Sequence, residues 1–522
     1  AQHFNLYSTP PGTKAREKAS TLVKDHVLRL IQGNGLLLPQ GGGCYDFAFK
    51  QYREFLAGLF LNTMIDEDDS LLMATRPHWH ECFQLLASHE AGGSTNITQL
   101  LYFIKELGDE SRESPKFQAS DAVLAAEMLH EIGKDKLLSL NQGRVLSDDG
   151  GRGVAGLWAH TTRGLLPVLS GRTDTGSASA DLRIRAGLAL GRLGDPRIAA
   201  KSGASLPLVD RSVAIPAALA VVGSKDREPS GRRILDAAQI RLREVSIPAY
   251  RISRYLTTNL EFAEFVEDGG YLESRWWSTP EAAAWRSDDA DFIDRLQRLW
   301  LDTAEENYGK ELQEGYYTLA DLEATSTDLC RSRRGPFFAS NARFNAPNQP
   351  VVGVNFWEAR AYCEWLTDRG HREGWLSKGI VARLPTEWEW EHAANPATPR
   401  VTYPWGDEWD PSRARNRLDA TALNQASPIG CYPKGTWGDG PEDMAGNVWE
   451  WTASRLLGYE TEHDAHRNDP SGLMERAIRG SSWYDKDAVE HCRCYSRFVD
   501  LPGNVYFDLG FRVVLGQHEP IS

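Results

Sequence analysis

The stretch RGSSWYDKDAVEHCRCYSRFVDLPGNVYFDLGFRVV, residues 479–514, decides the fold of the chain. RGSSW at its start and LGFRVV at its end place bulky apolar residues beside small or charged ones, which predicts two short strands seated in a core. The residues between them follow neither a period of two nor one of 3.6. We therefore expect this middle part to face outward.

Aromatic and carboxylate side chains alternate in that middle part, and such a composition is typical of a contact surface because tyrosine offers a large area at low entropy cost. The alternative is that single aromatics belong to the core, where Phe and Tyr are more often found. The candidate ligand-binding residues are Tyr484, Asp485, His491, Tyr495, Phe498, Val499, Asp500, Leu501, Asn504, Tyr506, Phe507 and Asp508.

Length and composition restrict what the rest of the chain can be. The 522 residues are too many for one core and predict several domains. The net charge of −14 repels phosphate backbones, so we expect no nucleic-acid partner. No apolar run approaches the ~20 residues of a membrane helix, which predicts no membrane partner. Seven scattered cysteines favour a reducing, cytoplasmic compartment over a disulfide framework.

The first 200 residues predict an all-α domain. Helical spacing runs from about Lys14 to Leu61, with a helix starting at Tyr45, and continues to Leu193, where RIRAGLALGRLGDPR resembles a HEAT-type repeat. GLLLPQGGGCYDFAFKQYREFLAGLFL, residues 35–61, resembles the winged-helix-like unit after the nucleotide-binding core of NACHT-type STAND signalling NTPases. No GxxxxGK[ST] loop occurs, and Ala1 replaces an initiator Met, so the remainder of a STAND NTPase is expected upstream.

After residue 200 the pattern changes to strands and loops rich in Trp, Gly and Pro. Residues 212–224 and the start of 243–271 predict two strands, and within 243–271 a helix follows from about Asn259, capped by the cluster of Thr257, Thr258 and Asn259. Another helix covers 354–370, and RLPTEWEWEHAAN predicts a third with Thr386 and Glu389 forming a capping box.

These motifs, with DMAGNVWEWT at 443–452 and the two predicted strands of 479–514, resemble the formylglycine-generating-enzyme (sulfatase-modifying factor) family. The resemblance implies an α+β chain in which an all-α domain, residues 1–200, precedes a C-type lectin-like domain, residues 201–522.

The catalytic residues of that family do not carry over. Its redox cysteine pair, which binds copper, would fall near Tyr484 or Asp485 and near Val489 or Glu490, and no thiol stands there. The alternative is a redox or metal site at Cys492 and Cys494, which share a face in an extended segment. Related sulfoxide synthases use an iron-binding histidine triad, whose spacing His26, His78 and His80 do not reproduce. We therefore expect no catalytic cofactor and a chain that is not an enzyme.

The family resemblance also implies a structural calcium ion. Side chains of Asp443 and Glu450 and the carbonyls of Gly446 and Val448 match one calcium-binding loop, and hard oxygen ligands suit Ca²⁺. The alternative is that the two carboxylates cap or pair with Arg479 or Arg512. Asn416 resembles a ligand of the family's other calcium site, but the loop after it is shorter here.

The frame of 479–514 is also similar to that of variable proteins of diversity-generating retroelements, where adenine randomisation varies selected codons. Most candidate residues are amino acids that such randomisation can produce. Lys486 and Glu490, which lie between candidate residues, are not. This resemblance implies a non-catalytic variable protein that binds a protein ligand through residues 484–508. The alternatives are an oxygen-dependent cysteine-oxidising or sulfoxide-forming enzyme of the same fold, and a fixed-specificity sensor of a STAND protein.

Overall fold

The computed structural model describes residues 37–41, 44–47, 80–91, 97–107, 118–133, 135–137, 154–171, 178–200, 204–224, 242–313, 318–396, 400–419, 421, 423–457 and 466–517. The chain divides between Leu193 and Gly194 into two compact units, close to the boundary expected near residue 200. Among the described residues, no helix combines the length and the apolar character that crossing a membrane would require.

The first unit contains five described helices: α1 (His80–Ala91), α2 (Ile97–Leu107), α3 (Ala119–Ile132), α4 (Val154–Leu169) and α5 (Ala180–Leu193). The central helix α3 is buried along most of its length and contacts the other four. Its apolar residues therefore form the core of this helical unit.

One part of the helical prediction is wrong in this unit. Leu37–Gly41 (β1) and Cys44–Phe47 (β2) pair as an antiparallel hairpin, so the helix expected from Tyr45 does not begin there. Three successive glycines, residues 41–43, favour a chain reversal over a helix at this point. Most of the NACHT-like segment and the residues His26 and His78 lie outside the described residues, so the STAND resemblance stays a prediction.

The second unit begins with four short strands: β3 (Ser212–Ile215), β4 (Ala218–Val222), β5 (Arg243–Ile247) and β6 (Tyr250–Ser253). Later in the chain come β7 (Ile380–Arg383), β8 (Trp449–Arg455), β9 (Arg476–Arg479), β10 (Phe498–Asp500), β11 (Leu509–Phe511) and β12 (Val514–Gln517). One sheet has the order β10-β9-β8-β11, another has the order β3-β6-β12-β7, and β4 pairs with β5.

The helices of this unit are α6 (Asn259–Glu267), α7 (Pro280–Arg286), α8 (Ala290–Gln313), α9 (Leu319–Cys330), α10 (Phe356–Glu373), α11 (Glu387–Ala394) and α12 (Ala488–His491). Capping boxes at Thr258, Asn355 and Thr386 start three of them, as expected of side chains that satisfy free backbone N–H groups. The predicted α+β class is confirmed, as is the capping box of Thr386 with Glu389.

The core of this unit lies between α6, α10 and the sheet of order β10-β9-β8-β11, which we call the central sheet. Phe262 stacks on Tyr362 with ring centroids 5.5 Å apart, and Phe511 of β11 meets Tyr362 edge-on at 5.5 Å. Trp451 of β8 is fully buried and donates its indole N–H to the Val354 carbonyl at 3.0 Å. These rings fix the sheet on which the 479–514 stretch is carried.

Two strand predictions are corrected here. The first strand ends at Arg479, because Gly480 and Ser481 adopt positive φ angles of 97° and 67° that break strand geometry. LGFRVV is divided between β11 and β12, which belong to different sheets. Arg512 and Val513 lie at that crossing and are buried.

Candidate ligand-binding site

The site is built on the loop that leaves the central sheet at Arg479 and returns to it at Phe498. Strand β10 pairs antiparallel with β9, placing Phe498 opposite Ile478. The turn at Gly480 is close-packed, since a Cβ there would lie 3.1 Å from the Trp390 ring. The loop therefore starts and ends at fixed positions on the same side of the sheet.

Arg479 fixes the C-terminal end of this loop through hydrogen bonds to its backbone. Its guanidinium is fully buried, contacts Glu391, and donates to the carbonyls of Tyr495 at 3.0 Å and of Ser496. A buried charge of this kind is stable only when it is paired and hydrogen-bonded, which restricts where these backbone atoms can lie.

Asp485 is the centre of the polar part of the site. Its Oδ2 accepts a hydrogen bond from Ser481 Oγ at 2.8 Å and lies 2.8 Å from His491 Nδ1, so the ring N–H donates to the carboxylate. Burial acts to raise the pKa of Asp485, but the hydrogen bond and charge of His491 outweigh it, and the pKa lies below its ordinary value.

Asp508 faces the same region from the other end of the stretch. It accepts a hydrogen bond from Ser482 Oγ at 2.6 Å. Burial, followed by the charge of Asp485, raises the pKa of Asp508 to about 6. Two carboxylates from positions 23 residues apart in sequence, 485 and 508, are thus brought within electrostatic range of each other.

Aromatic rings border these carboxylates on two sides. Trp449 stacks on Phe498 at 5.4 Å and lies 5.9 Å from the His491 ring. On the other side, Tyr484 meets Phe507 edge-on at 5.0 Å and is 47% exposed. We call Tyr484, Asp485, His491, Phe507 and Asp508 the aspartate–aromatic surface.

The expectation that the whole middle part faces outward is wrong for four of its candidate residues. Tyr495, Val499, Leu501 and Asn504 are buried, because β10 turns Val499 inward and the loop after it packs on the domain. Asp485, His491, Phe498, Asp500, Tyr506, Phe507 and Asp508 are half-buried, and Tyr484 is exposed.

Asp500 is half-buried, and its contacts lie within its own loop. Its Oδ1 accepts from the Leu501 backbone N–H at 2.8 Å and from the Asn504 side-chain amide. Burial raises the pKa of Asp500 to about 7, and the neighbouring charges of Glu475 and Asp508 act in the same direction.

Residues far from the stretch complete the surface, and sequence reasoning missed them. Phe507 stacks against Phe344 at 6.1 Å and meets Phe338 edge-on at 6.3 Å. Arg417 lies over the Tyr484 ring at 5.2 Å. The available signal was RGPFFASNARFN, residues 334–345, where several aromatics occur in a segment without periodicity.

Cys492 and Cys494 do not form an accessible thiol pair. Both side chains are buried, and burial raises the pKa of Cys492 to about 12 and raises that of Cys494 as well. The side chains of Cys82, Cys330, Cys431 and Cys363, the last in α10, are also buried. Within the part of the chain that the structure describes, no group of three His, Cys, Asp or Glu side chains is arranged to hold a metal.

The two carboxylates of the predicted calcium loop differ in their contacts. Glu450 is fully buried and binds Arg512 through both carboxylate oxygens, which is one of the pairings the sequence left open. Asp443 is buried and accepts from the Gly430 N–H at 3.3 Å, and burial together with Glu442 raises its pKa to about 7.

Asp443 therefore fits a cation, since it is a buried carboxylate without a contacting Lys or Arg among the described residues. Glu450 could contribute only through the lone pairs that Arg512 leaves. Asn416, the residue resembling a ligand of the other site, uses its Oδ1 to accept the Leu418 N–H at 2.7 Å. Calcium binding stays a prediction.

Residues 201–516 match the family model described as Sulfatase-modifying factor enzyme 1-like domain. Hercynine oxygenase of Mycolicibacterium thermoresistibile is 33% identical over 250 residues, which are 46% of this chain and 45% of that protein. Inactive C-alpha-formylglycine-generating enzyme 2 of Bos taurus is 28% identical over 290 residues, covering 53% of this chain and 81% of that protein. The chain spans about half the length of the hercynine oxygenases that it matches.

Solved structures that align with this chain include Treponema denticola variable protein 1, at 18% identity and a TM-score of 0.35, covering 58% of this chain and 94% of that one. PvdO from Pseudomonas aeruginosa aligns at 20% identity and a TM-score of 0.34, covering 58% and 93%.

The comparisons correct one sequence-based prediction. The chain was expected not to be an enzyme, because the family's catalytic cysteines are missing. Hercynine oxygenases, which are enzymes, are 31–33% identical to this chain over the matched residues, so the missing cysteines do not exclude catalysis.

Proposed function

The chain belongs, through residues 201–516, to the family of Sulfatase-modifying factor enzyme 1-like domains, and from that membership we propose that its C-terminal domain binds a protein ligand through the aspartate–aromatic surface. The observation that carries the proposal is that Tyr484 and Asp485, on a loop whose end Arg479 holds in place, lie beside Phe507 and Asp508 from the segment before β11. A rigid scaffold that presents aromatic and hydrogen-bonding side chains loses little entropy when it binds.

The exposure of these side chains favours a role in ligand recognition over a role in stabilising the fold. Tyr484 is one of the few large apolar side chains that the described residues leave exposed, and it packs edge-on against Phe507. Exposed aromatic residues beside polar groups are the usual centre of protein interfaces.

We further propose that the stretch is a variable region of a diversity-generating retroelement. Positions 484, 485, 491, 498, 500, 506, 507 and 508 are at least partly exposed, so they can accept a wider range of side chains than core positions do. The buried positions 495, 499, 501 and 504 tolerate fewer side chains. Adjacent DNA that encodes a reverse transcriptase and a near-copy of this stretch would support the proposal, and the lack of both would leave a fixed-specificity sensor.

The same proposal places the chain in the cytoplasm. The few, scattered cysteines of the sequence favour a reducing compartment.

Binding can be tested by selecting a displayed random-peptide library against the full chain. We expect enriched peptides to lose affinity about tenfold or more for Tyr484→Ala and for Tyr484→Ala/Phe507→Ala. Leu219→Ala/Leu272→Ala is a matched control that truncates two apolar side chains exposed elsewhere, 67% and 69%. Equal binding to all variants would contradict the proposal, and circular dichroism would confirm that each variant is folded.

A second candidate is oxidative catalysis, which the oxygenases at 31–33% identity favour. It can be tested by oxygen uptake in the presence of ferrous iron, with hercynine and a cysteine-containing peptide as separate substrates. Saturable uptake by the native chain, absent after unfolding, would establish catalysis. Uptake no greater than that of the unfolded chain with both substrates would eliminate this candidate.

A further inference from the structure

Two carboxylates of the aspartate–aromatic surface have no strong cationic partner. Among the described residues, no Lys or Arg forms an ion pair with Asp508, whose side-chain hydrogen bond comes from Ser482 Oγ at 2.6 Å. The one charged partner of Asp485 is His491, which carries charge only when it is protonated. Above the pKa of about 6 of Asp508, its carboxylate therefore carries a negative charge that no described Lys or Arg pairs with.

Burial makes that charge unfavourable in the absence of a ligand. The side chains of Asp485 and His491 are 9% and 13% exposed. Burial and the charge of Asp485 raise the pKa of Asp508 to about 6, and the charge of Asp508 in turn contributes to the raised pKa of Asp500. A cation placed between the aspartates would remove part of this repulsion.

An apolar contact area lies directly beside the carboxylates. Tyr484 is 47% exposed and meets Phe507 at 5.0 Å. Among the described residues Arg417 lies over the Tyr484 ring, 5.2 Å from its centroid, and the ion pair recorded for Asp485 is with His491. The cationic and apolar parts of a ligand would thus bind to neighbouring, chemically different areas.

A buried donor adjoins the same area. The indole N–H of Trp483 has no acceptor among the described residues, and its ring packs 5.3 Å from Tyr484 and 5.6 Å from Phe507. Because this N–H has almost no accessible surface, Trp483 supports the Tyr484–Phe507 pair through its ring rather than as a donor to a ligand.

We infer that the ligand of this surface is a basic polypeptide segment, in which an Arg or Lys side chain lies between Asp485 and Asp508 and a neighbouring apolar side chain covers Tyr484 and Phe507. This inference depends on the proposed binding function and names the class of partner for that same surface. Charge-assisted hydrogen bonds to the two carboxylates supply the specificity, and the aromatic pair supplies the buried area. The overall charge of −14 attracts such a partner at longer range.

Three fluorescein-labelled peptides of equal length test the inference: one alternating Arg and Phe, one in which Gln replaces Arg, and one in which Glu replaces Arg. Fluorescence anisotropy with the full chain should show that the Arg peptide binds at least about tenfold more tightly than the Gln peptide. The Glu peptide should bind most weakly, and added salt should weaken the Arg peptide alone.

Asp485→Asn/Asp508→Asn should reduce the affinity for the Arg peptide to that for the Gln peptide. The matched control is Asp302→Asn/Asp439→Asn, which removes the same charge from two exposed positions and should change affinity less than twofold, roughly the scale of a distant screened charge. Both Asn substitutions preserve a side-chain acceptor oxygen, and thermal unfolding checks that the variants remain folded.

The outcomes separate this inference from the proposed function. If Gln and Arg peptides bind equally, or no Arg peptide binds, the basic-partner inference is wrong. If the basic-partner inference fails but Tyr484→Ala still weakens the binding of a peptide or of a library-selected ligand, the surface binds ligands of another class. If no variant of the surface alters the binding of any peptide or selected ligand, both the inference and the proposed function fail.

Discussion

Arg512 binds Glu450 through two hydrogen bonds, from Nε at 2.6 Å and from Nη2 at 2.9 Å, and neither side chain is exposed to solvent. Removing one member of such a buried pair leaves an uncompensated charge, which typically costs about 3–5 kcal/mol. We therefore expect Arg512→Met to lower the free energy of unfolding by about that amount, measured by denaturant titration.

Two further variants test the cause of that loss. Glu450→Gln/Arg512→Met removes both charges and should recover part of the stability, so that the double variant is more stable than Arg512→Met. Arg298→Met breaks an exposed pair with Asp294 and should cost less than about 1 kcal/mol. If Arg512→Met and Arg298→Met lowered the free energy of unfolding equally, burial of an ion pair would not control its contribution to stability.

Calcium binding at the 443–450 loop gives a second prediction, centred on Asp443. A ligand that binds the folded state alone stabilises it, by about 2.7 kcal/mol at a hundred times its dissociation constant. Millimolar calcium should therefore raise the melting temperature of the wild-type chain above its value in a chelator. Burial and Glu442 raise the pKa of Asp443 to about 7, so the effect should grow as pH rises through 7.

The substitution Asp443→Asn should abolish the calcium effect, whereas the exposed Asp439→Asn should retain it. A wild-type melting temperature that is the same in calcium and in chelator, above pH 7, would mean that the loop is held without metal. In that event the Glu450–Arg512 pair would be the cation–carboxylate contact that organises the loop.

The buried thiols give a third prediction. Because burial raises the pKa of Cys492 to about 12, and raises that of Cys494 too, few thiolates form at neutral pH. We expect iodoacetamide to modify both residues at least roughly a hundredfold more slowly in the native chain than in concentrated guanidinium chloride. Mass spectrometry of the tryptic peptides measures this. Rapid native labelling of either residue would restore the redox-pair alternative.

The capping residues were predictable from sequence because their signal is local. Thr386 and Glu389 are three residues apart, and their hydrogen bonds depend on that spacing alone. The 495–504 segment was not predictable in the same way, since it has no periodicity to show which side chains face inward. Val499 is buried because β10 pairs with β9, opposite Ala477, which is a long-range contact.

The composition of the site shows the same limit. Asp485 and His491 could be proposed together because they are close in sequence and share a loop. Phe338 and Phe344 reach Phe507 from more than 160 positions earlier, and no pattern within either segment indicates that contact. The N-terminal hairpin at Leu37–Phe47 was missed for a different reason, because its apolar residues also fit a helical period.

The two aromatic residues of the surface should differ in their effect on stability. Phe507 packs against Trp483, Phe338 and Phe344, so Phe507→Ala should lower the free energy of unfolding by about 1–3 kcal/mol. Tyr484 is nearly half exposed, and Tyr484→Ala should cost less than about 1 kcal/mol. Denaturant titration measures both. A larger loss for Tyr484→Ala than for Phe507→Ala would show that Tyr484 belongs to the core.

The pH dependence of stability provides a last test, at Asp500. Burial, followed by the charges of Glu475 and Asp508, raises its pKa from the ordinary value of 3.8 to about 7. The folded state therefore holds the Asp500 proton more tightly than the unfolded state does. Stability contributed by this group is fully present below about pH 4 and is lost as pH rises to about 7.

Asp500→Asn should remove this dependence, because the amide keeps the Oδ1 acceptor for the Leu501 N–H and never ionises. The variant should melt several degrees higher than the wild type at neutral pH and above, and the difference should disappear near pH 4. Asp443 titrates over the same range in both proteins, so only the difference between their melting temperatures reports on Asp500. A constant difference across the range would show that the carboxyl group of Asp500 ionises with its ordinary pKa and does not oppose folding.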